Sequence, residues 1–313
     1  MKKMLAASLA TLVGVTGVSV TAEPLDTTKV GAKSEWVLHI DADAMRKSAM
    51  ATAMNEIFAG EEWGGKESGV DYKFDASKDL NSVTMFGHGN GDDDGAMIVR
   101  GNFDEDHLLG LLKLMKGYKT IDTDAGTVHA WPNEKNGGKT LSYGAIAADN
   151  VLVFAEDQKW VVAGLQALTG KDGGLSSADL KGLLAKAPKN AFITGAADMR
   201  GWEDAAANAK MMKNTKLGSM SIAEVGDDMQ MQISLTADNA EMAKQVHAMA
   251  QGMLAFAALN EEQAPELALL AFASKVTVDG SDVNMQLRYP LDEIIDMIAE
   301  GALKKLEGAG KKR

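Results

Sequence analysis

Histidine, acidic and basic side chains recur at alternate positions of the predicted strands in the first half of the sequence. Alternation within a strand places successive side chains on opposite sheet faces. The pattern predicts one polar face, carrying His39, Asp41, Thr84, His88, Arg100 and His129. Such groups on neighbouring strands could bind a metal or an anion, or transfer protons in hydrolysis. The simpler interpretation is a solvated face, since antiparallel sheets often carry polar residues on one wet side.

A second candidate is the acidic turn before the predicted strand over residues 96–101. Asn90, Asp92 and Asp94, followed by Gly95, have the spacing of the first half of a calcium-binding loop. The bidentate acid of such a loop is missing, because Gly101 occupies the twelfth position. Asn-Gly and Asp-Gly pairs are also ordinary hairpin turns. We expect a solvated turn, with a weak cation site as the alternative.

The second half has a polar sheet face that is rich in amides and hydroxyls and nearly uncharged. The alternation predicts that it carries Ser219, Ser221, Gln230, Gln232, Ser234, Asn284, Gln286 and Arg288. Such a face could bind sugars or extended peptides. A solvated face, or a face packed on the first half, is the simpler interpretation.

A Met- and Ala-rich helix is predicted over residues 238–258. Its apolar stripe consists of Met242, Val246, Met249, Met253 and Phe256. A helix with so wide an apolar surface is usually buried between layers. The alternative is a Met-rich groove for lipid or a hydrophobic peptide, which as a carrier would need an internal cavity beside Met249 and Met253.

Catalytic signatures are absent from the sequence. There is no Gly-x-Ser-x-Gly, Ser-x-x-Lys, His-Glu-x-x-His, phosphate-binding loop or dinucleotide fingerprint. With no cysteine, there is also no thiol nucleophile. We expect no cofactor and a non-enzymatic binding or interaction role. A hydrolase on the open face of the first half and a lipid or peptide carrier stay open as alternatives.

The elements that would position these residues occur twice in the same order. The segments ending in Met45-Arg46 and Met199-Arg200 correspond, and each half follows the order strand–helix–strand–strand–helix–strand. This order predicts an α+β fold of two ferredoxin-like (split βαβ) repeats, with helices on one face of antiparallel sheets. The predicted Asp104 and Asp238 helix caps correspond, as do the hairpins ending at Pro132 and Pro290.

The predicted domain boundaries follow from this repetition. Residues 1–22 form a signal peptide and residues 23–170 the first αβ repeat. Residues 171–190 form a linker with a short helix, and residues 191–306 the second repeat. Residues 307–313 form a basic tail.

Three stretches carry a resemblance to other proteins. They are Trp-Val-Leu-His-Ile-Asp at 36–41, Asp-Leu-Asn-Ser-Val-Thr-Met-Phe-Gly at 79–87 and Val-Arg-Gly-Asn-Phe-Asp at 99–104. In these stretches the sequence resembles a group of uncharacterised exported bacterial proteins that open with Trp-Val-x-His-Ile-Asp. The resemblance implies export and a similar fold, and it transfers no catalytic residue.

The N-terminus has the features of an export signal. Lys2 and Lys3 precede an uncharged apolar run, and Val20-Thr-Ala22 supplies small residues for cleavage. Removing 22 residues with two lysines from a 313-residue chain of net charge −12 leaves 291 residues with net charge −14. This acidity argues against nucleic acid as a partner. We expect a periplasmic or secreted protein, without an integral membrane segment after cleavage, whose partner is an envelope protein or a hydrophobic ligand.

We predict that the exported protein begins at Glu23, because the small residues before it match a signal-peptidase site. N-terminal sequencing or intact mass of protein from the periplasm or medium would measure this. A membrane-embedded species that keeps Met1 would show an N-terminal anchor instead.

Overall fold

The computed structural model describes residues 24–57, 73–89, 91, 94–133, 139–147, 150–200, 202, 215–259 and 265–299. These residues have an α+β fold built on one antiparallel sheet. Its strands are β1 (Trp36–Asp41), β2 (Leu80–Gly87), β3 (Gly95–Gly101), β4 (Lys119–Thr123), β5 (Gly126–Pro132), β6 (Leu141–Ala147), β7 (Val151–Ala155), β8 (Ala191–Asp198), β9 (Thr215–Val225), β10 (Asp228–Ala237), β11 (Ser274–Asp279) and β12 (Asp282–Pro290). The helices are α1 (Ala42–Arg46), α2 (Ala49–Ile57), α3 (Ala76–Asp79), α4 (Glu105–Leu114), α5 (Gln158–Thr169), α6 (Ala178–Leu184), α7 (Ala240–Ala258), α8 (Pro265–Phe272) and α9 (291–299).

The strand order is β11-β12-β10-β9-β8-β1-β2-β3-β7-β6-β5-β4. Antiparallel pairing of β1 with β8 joins the two halves of the chain edge to edge. Outward from this pair, the strand order is the same on both sides. A three-stranded meander (β1–β2–β3 or β8–β9–β10) is followed by the second strand of a hairpin (β7 or β12) and then by its first strand (β6 or β11). The first half continues further, with β5 and β4 at the far edge.

The ferredoxin-like arrangement is not confirmed. A split βαβ unit connects parallel strands through a crossover helix. Here β1 and β2, which flank α1 and α2, are antiparallel neighbours. The predicted match between the hairpins ending at Pro132 and Pro290 is also wrong, because the β6–β7 hairpin, not β4–β5, occupies the position equivalent to β11–β12.

Helices cover both faces of the sheet, not one face as predicted. The His39 face, defined by Val37, His39, Phe86, Ile98 and Val153, packs against buried residues of α5 and α6. The Ile40 face carries Leu38, Ile40, Val83, Val99 and Ile193. Near β1 it packs against Ala42 and Met45 of α1, and near β12 against Ala243 and Val246 of α7. Because β1 is central, both of its faces are covered.

Contacts outside the sheet also connect the halves. The carboxylate of Glu224 on β9 accepts hydrogen bonds from the backbone N–H groups of Ala49 and Met50, both at 2.8 Å. It thereby caps α2, which belongs to the other half. The segment before β1 contributes the fully buried Val30. It is held by a hydrogen bond of 2.9 Å from the Leu175 N–H to the Thr27 carbonyl.

The predicted helix cap is right for α4 and wrong by one residue for α7. Asp104 accepts from the His107 N–H at 2.9 Å. At α7 the cap is Asn239, whose side-chain oxygen accepts from the N–H groups of Glu241 and Met242, both at 3.0 Å. Asp238 instead forms a surface ion pair with Lys216, with a nitrogen–oxygen distance of 3.6 Å.

We predict that Asn239→Ala lowers the free energy of unfolding by about 1 kcal/mol, because two helix N–H groups lose their acceptor. The neighbouring Asp238→Ala is the matched control and should change it by less than about 0.5 kcal/mol. Urea denaturation of both variants measures the difference. Equal losses would show that Asn239 does not act as the cap.

Candidate functional site

The two polar faces predicted separately are parts of one face of the sheet. Directly paired residues on adjacent antiparallel strands project from the same face. The pairings across β12, β10, β9, β8, β1 and β2 form one row, Gln286–Gln232–Ser221–Thr194–His39–Thr84. The row lies on the His39 face.

His39 and Asp41 are buried at the centre of this face, with side chains that have structural partners. His39 is 4% exposed, and its Nδ1 lies 2.9 Å from the Thr84 hydroxyl. Asp41 caps α1 by accepting from the Ala44 N–H at 2.8 Å. Both residues therefore contribute to the fold. Their polarity does not mark a solvated face, because β1 is covered on both sides.

Arg100 lies on the same face, one row away from His39. Its cross-strand partners are Ser82 and Val151, and Asp41 is paired with Ser82 from the other side. Its side chain is half-buried. The structure thus places Arg100, Thr84, His39 and Asp41 on one face, as the alternation predicts.

His129 lies on the opposite face. Its row runs through Gly144, Phe154, Met97 and Met85 to Leu38, which is on the Ile40 face. The Tyr118 hydroxyl lies 2.8 Å from Nδ1 of His129, and the two rings stack. Burial lowers the pKa of His129, and nearby Lys113 lowers it further. Because His39 and His129 are in different layers, the acid–base site predicted from them does not form.

The cation-binding prediction falls largely outside the described residues, which exclude Asn90 and Asp92. Asp94 is described, and its carbonyl accepts from the His88 N–H at 3.0 Å, as expected for a hairpin turn. Its carboxylate lies 3.6 Å from the Lys159 ammonium. In the part of the chain that the structure describes, no three His, Asp or Glu side chains form a group that could hold a metal ion.

One buried polar cluster was not among the predicted site residues. Asp43 is 1% exposed, forms an ion pair with Arg46 and accepts from the Asn81 amide at 3.1 Å. Arg46 also donates to the Leu80 carbonyl at 2.6 Å. Burial raises the pKa of Asp43, while Arg46 acts to lower it. The cluster fastens α1 to the start of β2.

An extensive apolar surface is formed by α7 and α8, which pack against each other. In the apolar stripe of α7, exposure rises from 3% at Val246 to 43% at Met249, 63% at Met253 and 71% at Phe256, and Leu259, directly after the helix, is 85% exposed. On α8, Leu267, Leu269 and Phe272 are 58%, 44% and 70% exposed. These seven exposed side chains, from Met249 to Phe272, are called the apolar α7–α8 surface below.

This arrangement corrects the prediction for the Met-rich helix. The helix is not buried between layers: its first half packs on the sheet through Ala243 and Val246 and exposes Glu241 and Lys244. Met249 and Met253 are 43% and 63% exposed in the part of the chain that the structure describes, which does not support a carrier that encloses its ligand beside them. The sequence pattern predicted the apolar stripe of α7. It did not predict the apolar surface that α8 adds, because this helix has only 8 residues.

Comparisons with protein-family models and with curated proteins give no match. The solved structures that match include three crystal forms of the protein TP0453. Forms III, I and IV have TM-scores of 0.48, 0.46 and 0.42, with 10%, 10% and 8% sequence identity. They cover 90%, 90% and 89% of this chain, and 99%, 99% and 97% of their own chains. Within the described residues, no helix is long and apolar enough to cross a membrane.

We predict that Asp43→Ala lowers the free energy of unfolding by about 3 kcal/mol, because Arg46 would stay buried without its carboxylate partner. Asp198→Ala is the control: it removes the partner of Arg200, the residue that corresponds to Arg46 in sequence but is exposed. That change should cost at most about 1 kcal/mol. Chemical denaturation measures both, and similar costs would contradict a specific role for the buried pair.

Proposed function

We propose that this protein is exported, acts in the cell envelope without catalysis, and binds a hydrophobic partner through the apolar α7–α8 surface. The observation that carries the proposal is the exposure of Met253, Phe256, Leu259 and Phe272, each above 60%. Burying a large apolar side chain contributes about 1.5–3 kcal/mol. Leaving several such side chains in contact with water is the mark of a binding surface on a folded chain.

The distribution of polar groups supports a binding role over an enzymatic one. His39, Asp41 and Asp43 are buried and bonded to neighbouring groups, and His129 lies on the other side of the sheet. The export signal and the resemblance to exported bacterial proteins support a periplasmic or secreted location. They rest on residues 2–22 and on the stretches around β1, β2 and β3.

The matching strand order supports a further part of the proposal, that the chain consists of two αβ repeats. Helices α4 and α7 then hold equivalent positions, each following the third strand of its meander. They differ in length, with 10 residues in α4 and 19 in α7. After α4 the chain forms the β4–β5 hairpin, whereas after α7 it forms α8. The binding surface is therefore the part in which the second repeat departs from the first.

We predict that Phe256→Ser and Leu259→Ser reduce binding of the dye anilinonaphthalene sulfonate and shorten retention on a phenyl column. Because both side chains are mostly exposed, the free energy of unfolding should change by less than about 0.5 kcal/mol. Fluorescence titration and chromatography of the folded variants provide the measurements.

The matched control is Leu114→Ser on α4, since Leu114 is 84% exposed and Leu259 is 85% exposed. Leu114 has no comparable apolar neighbours among the exposed residues of α4. Its substitution should leave dye binding and retention nearly unchanged. If the control variant loses as much as Leu259→Ser, the α7–α8 surface has no special role.

A further inference from the structure

We infer that the partner of the apolar α7–α8 surface is a lipid bilayer with electrically neutral headgroups. This inference rests on the proposed function, because it identifies the partner of the same surface. Three observations carry it: the charge of the segment, the directions of its exposed side chains, and the length of its helices.

The first observation is the absence of charge. The sequence has no Lys, Arg, Asp or Glu from Gln245 to Asn260. The segment therefore offers no ion pair to a protein partner, and its transfer into hydrocarbon does not require burying a charge. Lys and Arg, which attract anionic lipid, are also absent from residues 261–274, where the only charges are Glu261, Glu262 and Glu266. With a whole-chain net charge of −12, an anionic membrane would repel the protein.

The second observation is that α8 exposes apolar side chains in opposite directions. At 3.6 residues per turn, Leu267 and Leu269 project about 160° apart around the helix axis. Both are exposed, at 58% and 44%. A second copy of this chain or another rigid partner would cover one side of the helix. Fluid hydrocarbon can cover both, and apart from Glu266 in its first turn α8 consists of apolar residues.

The third observation limits how the surface enters the bilayer. A helix of 8 residues, such as α8, is about 12 Å long, which is far short of the ~30 Å hydrocarbon core. Glu261 and Glu262, between the helices in the sequence, and Glu266 in the first turn of α8 must also stay in water or among headgroups. The two helices therefore lie along the interface, with their apolar side chains about 5–10 Å deep, and the sheet stays outside.

A single environment-sensitive label tests the inference directly. The sequence has no cysteine, so Phe256→Cys and Leu114→Cys each give one attachment point for the fluorophore NBD. The chain without residues 1–22 is mixed with phosphatidylcholine vesicles. We expect NBD at position 256 to brighten several-fold and to be quenched by lipids brominated in their acyl chains, and NBD at position 114 to do neither.

The lipid composition and ionic strength give a second measurement. Binding to phosphatidylcholine vesicles should be insensitive to salt, because no charge on the surface contributes to it. Adding phosphatidylglycerol should weaken binding at low salt. Tighter binding to the anionic vesicles would overturn the assignment of neutral headgroups.

Two other outcomes would overturn the assignment of a bilayer. If position 256 does not respond to vesicles while Phe256→Ser still loses dye binding, the proposed function stands and its partner is not lipid. If the label brightens with protein concentration in the absence of vesicles, the partner is a second copy of the chain. If Phe256→Ser changes neither dye binding nor column retention, the proposed function fails as well.

Discussion

Pairing between β1 and β8 merges two groups of strands into one sheet and places β1 at its centre. A central strand must have both faces covered, because each carries apolar side chains that need burial. Val37 packs on one side under α5 and α6, and Ile40 on the other side near α1. The polar residues between them are buried as a consequence. Because a buried polar group requires a hydrogen-bond partner, His39 is paired with the Thr84 hydroxyl and Asp41 with a backbone N–H at the N-terminus of α1.

The amount of core declines from the centre of the sheet towards β11. The cluster under α5 and α6 includes Phe86, Ile98, Trp160 and Leu180. The cluster under α7 consists of Ala237, Ala243, Val246 and Val283, which are smaller on average. The 19-residue helix α7 is longer than the core beneath it can cover. Its last turns and α8 therefore keep their apolar side chains in solvent, and the fold itself produces the exposed surface.

The polar groups that could perform catalysis and the exposed apolar surface thus lie in different parts of the molecule. The groups with catalytic potential have structural partners in the interior: His39 has the Thr84 hydroxyl, Asp41 the Ala44 N–H, and Asp43 the Asn81 amide. The α7 part of the apolar surface carries no titratable group between Gln245 and Leu259 other than His247, which is half-buried. In the proposed function, the apolar α7–α8 surface binds the partner, and the driving force is the removal of that surface from water.

The sequence by itself determined the α+β class, the strands around β1, β2 and β3, the Asp104 cap and the apolar stripe of the Met-rich helix. Each follows from local periodicity or from hydrogen bonds between residues a few positions apart. Only the tertiary structure decided which face of each strand is covered. Alternation shows that His39 and Ile40 point in opposite directions, but whether either direction meets water depends on the long-range contact of β1 with β8. The same holds for α7 and α8, because exposure depends on how far the core extends, and that is a property of the whole sheet.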